Sequence, residues 1–292
     1  MPEFLTLSEQ VFPLAQKTLL IPVVSAANVS QLAVDIIIAT FNLRRIGIFD
    51  SRDLIPVVGA RENGEAGVTV PLELYGNEDL DFVVMQQRSP ALKSRKQAFV
   101  DSVLQFAKDS QIGAILFLSG IDLINRTDAQ MLTPTLHIIP TNSPPLTASS
   151  LSAIEHLPIP RYAEIPRTQS HDQDLEASDH RHSNKDTSES TTSPFIPGGG
   201  LTRRFLDSLF PSPPRSTANN TTTKTTVDSP WSIPTLALLQ FVMEGDNRAD
   251  AHLFASVITK VLEREPGSAG WKVPKSWETG LFGSDHDQTL YG

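Results

Sequence analysis

Few side chains in this sequence combine a reactive type with a spacing that could do chemistry. Pro197-Gly198-Gly199-Gly200 precedes a helical stretch over residues 201–210, where backbone N–H groups at a helix start could cradle a phosphate. The loop lacks the Gly-Lys-Ser/Thr ending of a P-loop and the Gly-x-Gly-x-x-Gly spacing of a dinucleotide turn, so a tight turn is the better reading. Glu244-Gly245-Asp246 could act as paired carboxylates in acid–base work, but no nucleophile stands beside them, and capping of the following helix is preferred. Ser119-Gly120 is not part of a Gly-x-Ser-x-Gly elbow. Of the seven histidines, His171, His180 and His182 fall in polar low-complexity sequence, while His137 and His252 read as structural residues. With no cysteine there is no thiolate nucleophile, disulfide or thiolate metal site. No catalytic, cofactor-binding or metal-binding set is assigned, and an enzyme is disfavoured.

Two other features carry recognition rather than catalysis. The chain ends Leu290-Tyr291-Gly292 after a polar stretch over residues 284–289. With 3 tyrosines in 292 residues, a hydrophobic residue followed by a penultimate Tyr arises by chance roughly once in a few hundred chains of this composition. A tail of this kind suits docking, because the aromatic anchor has low rotamer entropy and a pocket lysine can pair with the terminal carboxylate. The second feature is a predicted helix over residues 28–42. Leu32, Ile36 and Ala39 form one side, and Val34, Ile37, Ile38 and Phe41 carry the apolar surface most of the way round. Such a helix must be covered on both sides, by the sheet and by either another segment of the chain or a partner. Val34, Ile37, Ile38 and Phe41 are therefore the candidate partner interface.

These features need a scaffold, and the pattern predicts strands interleaved with helices. Thr18-Leu19-Leu20-Ile21-Pro22 reads as a short buried strand, and residues 45–49, 54–58, 68–75 and 81–87 as further strands. Phe99, Val103 and Phe106 recur at helical spacing over residues 94–110. Residues 114–119 form a continuous apolar strand, and Leu136-His137-Ile138-Ile139 a last one. Residues 235–243 and 249–262 read as two helices separated by Glu244-Gly245-Asp246-Asn247. The expected fold is an α/β sandwich with helices on both faces of one sheet. Residues 141–193 and 211–229, rich in Ser, Thr and charge, are expected to be disordered insertions in a single domain spanning 1–292, and residues 284–292 a flexible tail.

Composition narrows the class further. A formal net charge of −9 argues against a nucleic-acid footprint. The longest apolar run, residues 32–41, is about half the roughly 20 residues of a membrane span, and Asp35 interrupts it. Met1-Pro2-Glu3-Phe4 lacks the basic region of a secretory signal. The expectation is a soluble intracellular protein, cytoplasmic, nuclear or both.

Several stretches together resemble the proteasome assembly chaperone 2 family. They are Leu19-Leu20-Ile21-Pro22-Val23-Val24-Ser25 with Asn28-Val29-Ser30-Gln31-Leu32-Ala33-Val34-Asp35, then Ile46-Gly47 and Leu54-Ile55-Pro56-Val57-Val58-Gly59. Downstream lie Ile196-Pro197-Gly198-Gly199-Gly200-Leu201-Thr202, Glu244-Gly245-Asp246-Asn247, Trp271-Lys272-Val273-Pro274-Lys275-Ser276-Trp277 and Leu281-Phe282-Gly283. The resemblance implies a three-layer α/β sandwich of the nucleoside-phosphorylase-like kind and no enzymatic activity. It implies pairing with a sister, proteasome assembly chaperone 1, and binding to the outer face of the alpha ring of the 20S core particle. A hydrophobic–Tyr–any tail found in some members maps onto Leu290, Tyr291 and Gly292. The phosphorylase-like fold keeps a second reading open, a nucleoside- or phosphate-binding enzyme using the Gly198-Gly199-Gly200 loop. A third is a free-standing adaptor that shares only the tail.

Overall fold

The computed structural model describes residues 4–7, 12–162, 194–209 and 231–279. Along the chain come β1 (Leu5–Leu7), β2 (Thr18–Pro22), α1 (Val29–Thr40), β3 (Arg44–Phe49), β4 (Gly59–Ala60), β5 (Val68–Thr69), β6 (Leu72–Gly76) and β7 (Phe82–Gln87). Then follow α2 (Lys96–Asp109), β8 (Ala114–Asp122), β9 (Thr135–Ile138), α3 (Gly200–Ser208), β10 (Thr235–Val242) and α4 (Arg248–Val261), with short 3-10 turns between them. One eight-stranded sheet has the order β1-β3-β6-β7-β2-β8-β10-β9, and β4 and β5 form a separate two-stranded arm.

The most apolar runs make the middle of the sheet. Strands β7, β2, β8 and β10 are mutually parallel, and β6, β3 and β1 on one side and β9 on the other extend them antiparallel. Parallel strands need cover on both faces, and the alternation along them shows it. Leu19, Ile21, Ile115, Phe117, Ala237 and Leu239 face a core closed by Phe99 and Val103 of α2 and Phe205 and Leu206 of α3. Leu20, Leu116, Leu118, Leu236 and Leu238 face the opposite core, closed by α1 and by Phe254, Ala255 and Ile258 of α4. The result is the expected three-layer α/β sandwich. Among the described residues no helix is long and apolar enough to cross a membrane.

Three expectations about elements are corrected. The stretch over residues 235–243 is not a helix but β10, fully buried and paired in parallel with β8 from Thr235↔Ile115 to Val242↔Asp122. A strand buried on both faces has no polar alternation to reveal it, so its apolar run is indistinguishable by period from a buried helix. Residues 54–58 are not a strand; only Leu54 bridges, to Ala91, and Pro56 supplies no donor for a ladder. Residues 141–162, the first part of the expected insertion, are folded. Leu146, Leu151 and Ile154 are buried in the α1/α4 core, and Ser143 Oγ accepts from the backbone N–H of Thr235 at 2.8 Å. These spaced apolar residues were diluted by the polar sequence around them. Residues 163–193, 210–230 and 280–292 lie outside the described residues. The two chain ends that flank residues 163–193 are tied together, because the Tyr162 hydroxyl donates to the Phe195 carbonyl at 2.8 Å.

Candidate functional site

The residues of chemical interest in the glycine loop and the acidic turn serve the backbone. Gly198 takes φ +70°, Gly199 abuts the Ile196 side chain, and Gly200 opens α3. One turn in, the buried Thr202 hydroxyl donates to Ser119 Oγ at 2.8 Å, which docks the helix on β8. Glu244 Oε1 accepts from the backbone N–H of Ala27 at 3.0 Å, and Asp246 Oδ1 accepts from Arg248 Nε at 2.9 Å. His137 Nδ1 lies 2.8 Å from the Ile159 carbonyl, and burial pushes its pKa below the ordinary value. His252 stacks beside Trp271 with ring centroids 5.0 Å apart.

The candidate interface helix is covered within the chain. Val34 and Ile37 are fully buried between the sheet and α4, so the expectation that they meet a partner is corrected. Helix α4 is the second cover that an all-round apolar helix requires. Ile38 and Phe41 retain partial exposure at the end of α1, with Phe41 packed edge-on against Phe82 at 5.6 Å. The tail residues Leu290, Tyr291 and Gly292 lie outside the described residues.

What the fold assembles instead is a charged cavity of about 810 Å³ beside the end of α1. Its floor follows from strand register. Arg45 of β3 sits opposite Tyr75 of β6, and Glu73 of β6 opposite Gln86 of β7, so all four project from the face that α1 covers. The fully buried Glu73 is the hub. Its Oε1 accepts from Arg45 Nη1 at 2.7 Å, and its Oε2 accepts from the Tyr75 hydroxyl at 3.0 Å and Arg88 Nε at 3.2 Å. From α1, Asp35 Oδ1 accepts from Gln86 Nε2 at 2.7 Å and Arg88 Nη2 at 3.3 Å. Burial raises the Asp35 pKa, against the pull of the Arg88 charge and the Gln86 hydrogen bond. Burial works against the Arg88 charge, yet Asp35, Tyr75 and Glu73 together hold its pKa above the ordinary value.

The far wall is the segment after α4. Lys272 donates its backbone N–H to Thr40 Oγ1 at 3.0 Å, and Ser276 donates its backbone N–H to Glu62 Oε2 at 3.1 Å. These bonds strap Lys272, Val273, Pro274 and Lys275 across the mouth between α1 and the β4–β5 arm. The sequence reading missed Asp35, Arg45, Glu73 and Arg88. The signal was present: an Asp inside an apolar helix and a Glu between Leu72 and Leu74 are charges placed where they must be paired.

Tyr75 gives a direct test of this floor. Burial, then the adjacent Glu73 carboxylate, push its pKa from 10.0 up to about 12. The folded state therefore holds the phenolic proton where the unfolded chain releases it. Stability from this group is full below pH 10 and falls as pH rises between 10 and about 12, by roughly 2 kcal/mol. Urea unfolding at pH 9 and pH 11 should show roughly 1.3 kcal/mol of that loss in the native chain and a smaller one in Tyr75→Phe. Equal losses would show that Tyr75 is not the responsible group.

Comparison with known proteins fixes the family. Residues 19–204, more than half of the chain, match the model of the PAC2 family. The chain belongs to the PAC2 family. It is a homologue of proteins named proteasome assembly chaperone 2, being 27% identical over 286 residues to that of Xenopus laevis, with 95% of each chain covered. To the Bos taurus protein it is 29% identical over 302 residues, covering 99% of this chain and 100% of that one. The fold is shared with Pyrococcus furiosus PbaA, described as an archaeal homolog of proteasome-assembly chaperone. The TM-score is 0.53 at 15% identity, with 89% of this chain and 87% of that chain covered. These relatives carry the name of an assembly chaperone, the class that the sequence reading assigned to this chain.

Proposed function

We propose that this PAC2-family protein is a chaperone of 20S proteasome assembly, acting as a heterodimer with proteasome assembly chaperone 1 on the alpha ring of core-particle precursors in the cytoplasm, the nucleus or both. The observation that carries this reading is similarity over nearly the whole chain to proteins named proteasome assembly chaperone 2. The sister chaperone is assigned to the edge of the sheet where the parallel strands end. Ile124 after β8, Met131 and Leu132 before β9, and Met243 after β10 stand 84%, 58%, 95% and 66% exposed there. An apolar patch of this kind is the usual mark of a protein interface. Leu290, Tyr291 and Gly292 are the proposed docking tail: Tyr291 fills a pocket between alpha subunits, Leu290 packs on its wall, and the terminal carboxylate meets a cation.

The test is alpha-ring binding by the chain co-expressed with its sister, the sister's own tail removed to eliminate a second anchor. Tyr291→Ala should weaken binding about thirtyfold, the effect of losing roughly 2 kcal/mol at a packed aromatic anchor. One residue added after Gly292 should do the same, because it displaces the carboxylate while keeping every side chain. Unchanged affinity in both variants would overturn the tail assignment, and no co-purification of alpha subunits at all would overturn the function.

A further inference from the structure

The cavity beside α1 has no role in this account of tail and sheet edge, yet its chemistry is distinctive. In a chain of net charge −9, six basic side chains line it against three acidic ones, with Glu73 a fourth acidic group beneath the floor. Arg45 and Arg88 are bound to Glu73 and Asp35 on the floor, and Arg61 is paired with Glu65. At the mouth, Lys272 and Lys275 are exposed and carry no ion pair among the described residues. Ile38, Val273 and Pro274 give the same mouth an apolar side.

A second observation says what kind of ligand this is. The β4–β5 arm contributes Ala60 and Thr69 to the cavity wall, and the apolar side chains on and before it are left in water: Val57 at 39%, Val58 at 76% and Val68 at 49% exposure. A small anion would need the basic rim and have no use for an adjoining apolar flank. A protein segment uses both, placing a carboxylate at the lysines and apolar residues along the arm. The volume, about 810 Å³, is at the upper end for a drug-sized ligand and accommodates several side chains. The strap is held by the bonds to Thr40 and Glu62, by the buried Pro274 and by Trp271 and Trp277 packed against the α1/α4 core.

We infer that this cavity is a docking site for an acidic, partly apolar segment of a protein partner, separate from the tail and from the sheet edge. The carboxylates pair with Lys272 and Lys275, an apolar residue enters beside Ile38 and Val273, and the flanking chain lies along the β4–β5 arm. The rim charges act mainly on encounter rate and specificity, so binding is strongest at low salt.

The experiment uses the full chain and a fluorescein-labelled eight-residue peptide of alternating Leu and Glu, read by anisotropy at low salt. This peptide should bind, and its Leu–Lys counterpart should not. Lys272→Glu with Lys275→Glu should weaken binding about tenfold or more, with a melting temperature like that of the native chain, since both side chains are exposed and unpaired. Val58→Asp on the flanking arm should also weaken it. Equal binding by the charge-reversed variant, or no binding by the native chain, overturns the inference. Complete displacement of the peptide by equimolar ATP or inorganic phosphate, with Val58→Asp binding normally, overturns it in favour of a small-anion site.

Discussion

Replacing Arg88 with methionine is expected to cost the fold about 3 kcal/mol at neutral pH, the lower end of the usual cost of breaking a buried pair. The side chains of Arg88 and Asp35 keep some contact with water, 26% and 20% exposed, while Glu73 has none. Without the guanidinium, Asp35 retains only Gln86 among the described residues, and Glu73 relies on Arg45 and Tyr75. The loss should depend on pH in a definite sense. Asp35 already has a raised pKa, and removing the Arg88 charge that opposes this raises it further. A carboxyl group with a raised folded-state pKa favours folding below its unfolded value and loses that benefit as pH rises through the folded one. The variant should therefore lose less stability at pH 5 than at pH 7.5. Denaturant titrations of both proteins at the two pH values give the answer. A cost below about 1 kcal/mol at pH 7.5, or one that grows on acidification, would show that the pair is not the support described. Adding Asp35→Asn should recover part of the loss, since the carboxylate left without its cation is then removed while Glu73 keeps Arg45 and Tyr75.

Phe205→Ala is expected to destabilise by about 3–5 kcal/mol and lower Tm on the order of ten degrees. Phe205 is fully buried, with its ring 4.9 Å from Phe117 of the central sheet and 6.0 Å from Phe99 of α2. With the equally buried Leu206 it packs the short α3 against the sheet and α2. Helix α3 is set in place by its own buried face, Leu201, Thr202, Phe205 and Leu206, with Ile196 buried just before it. Its truncation leaves a void between two layers that the close packing of the parallel core cannot fill. Calorimetry of the variant against Leu253→Ala, an exposed position on α4, separates this from a general sensitivity to mutation. A loss no larger than that of Leu253→Ala would mean that α3 is not an integral part of the sandwich.

The sequence was most readable where local pattern and tertiary role agree. The strand at Thr18–Pro22 ends at its proline, α2 shows its single apolar face, and β8 stands out as a continuous apolar run. Each signals its environment by composition alone, and together they are enough for an α/β sandwich. The ordered segments of the family resemblance added the likeness to PAC2-family chains, which the match over residues 19–204 supports. The tail reading came from the last three residues and the partner reading from the apolar girth of one helix; the resemblance added which partners to expect.

Tertiary structure decided the rest. Whether residues 235–242 were helix or strand depended on an eight-residue parallel partner more than 100 positions earlier, and no local period contains that information. The apolar girth of α1 required a second cover, but only the fold could show that α4 supplies it and that Val34 and Ile37 are spent inside the chain. The charged floor was the least accessible feature. Asp35, Arg45, Glu73 and Arg88 come from four separate places in the chain, and strand register together with the packing of α1 on the sheet brings them together. A sequence shows that a buried charge must have a partner, because desolvation demands one. Which partner it finds is set by the pairing of distant strands.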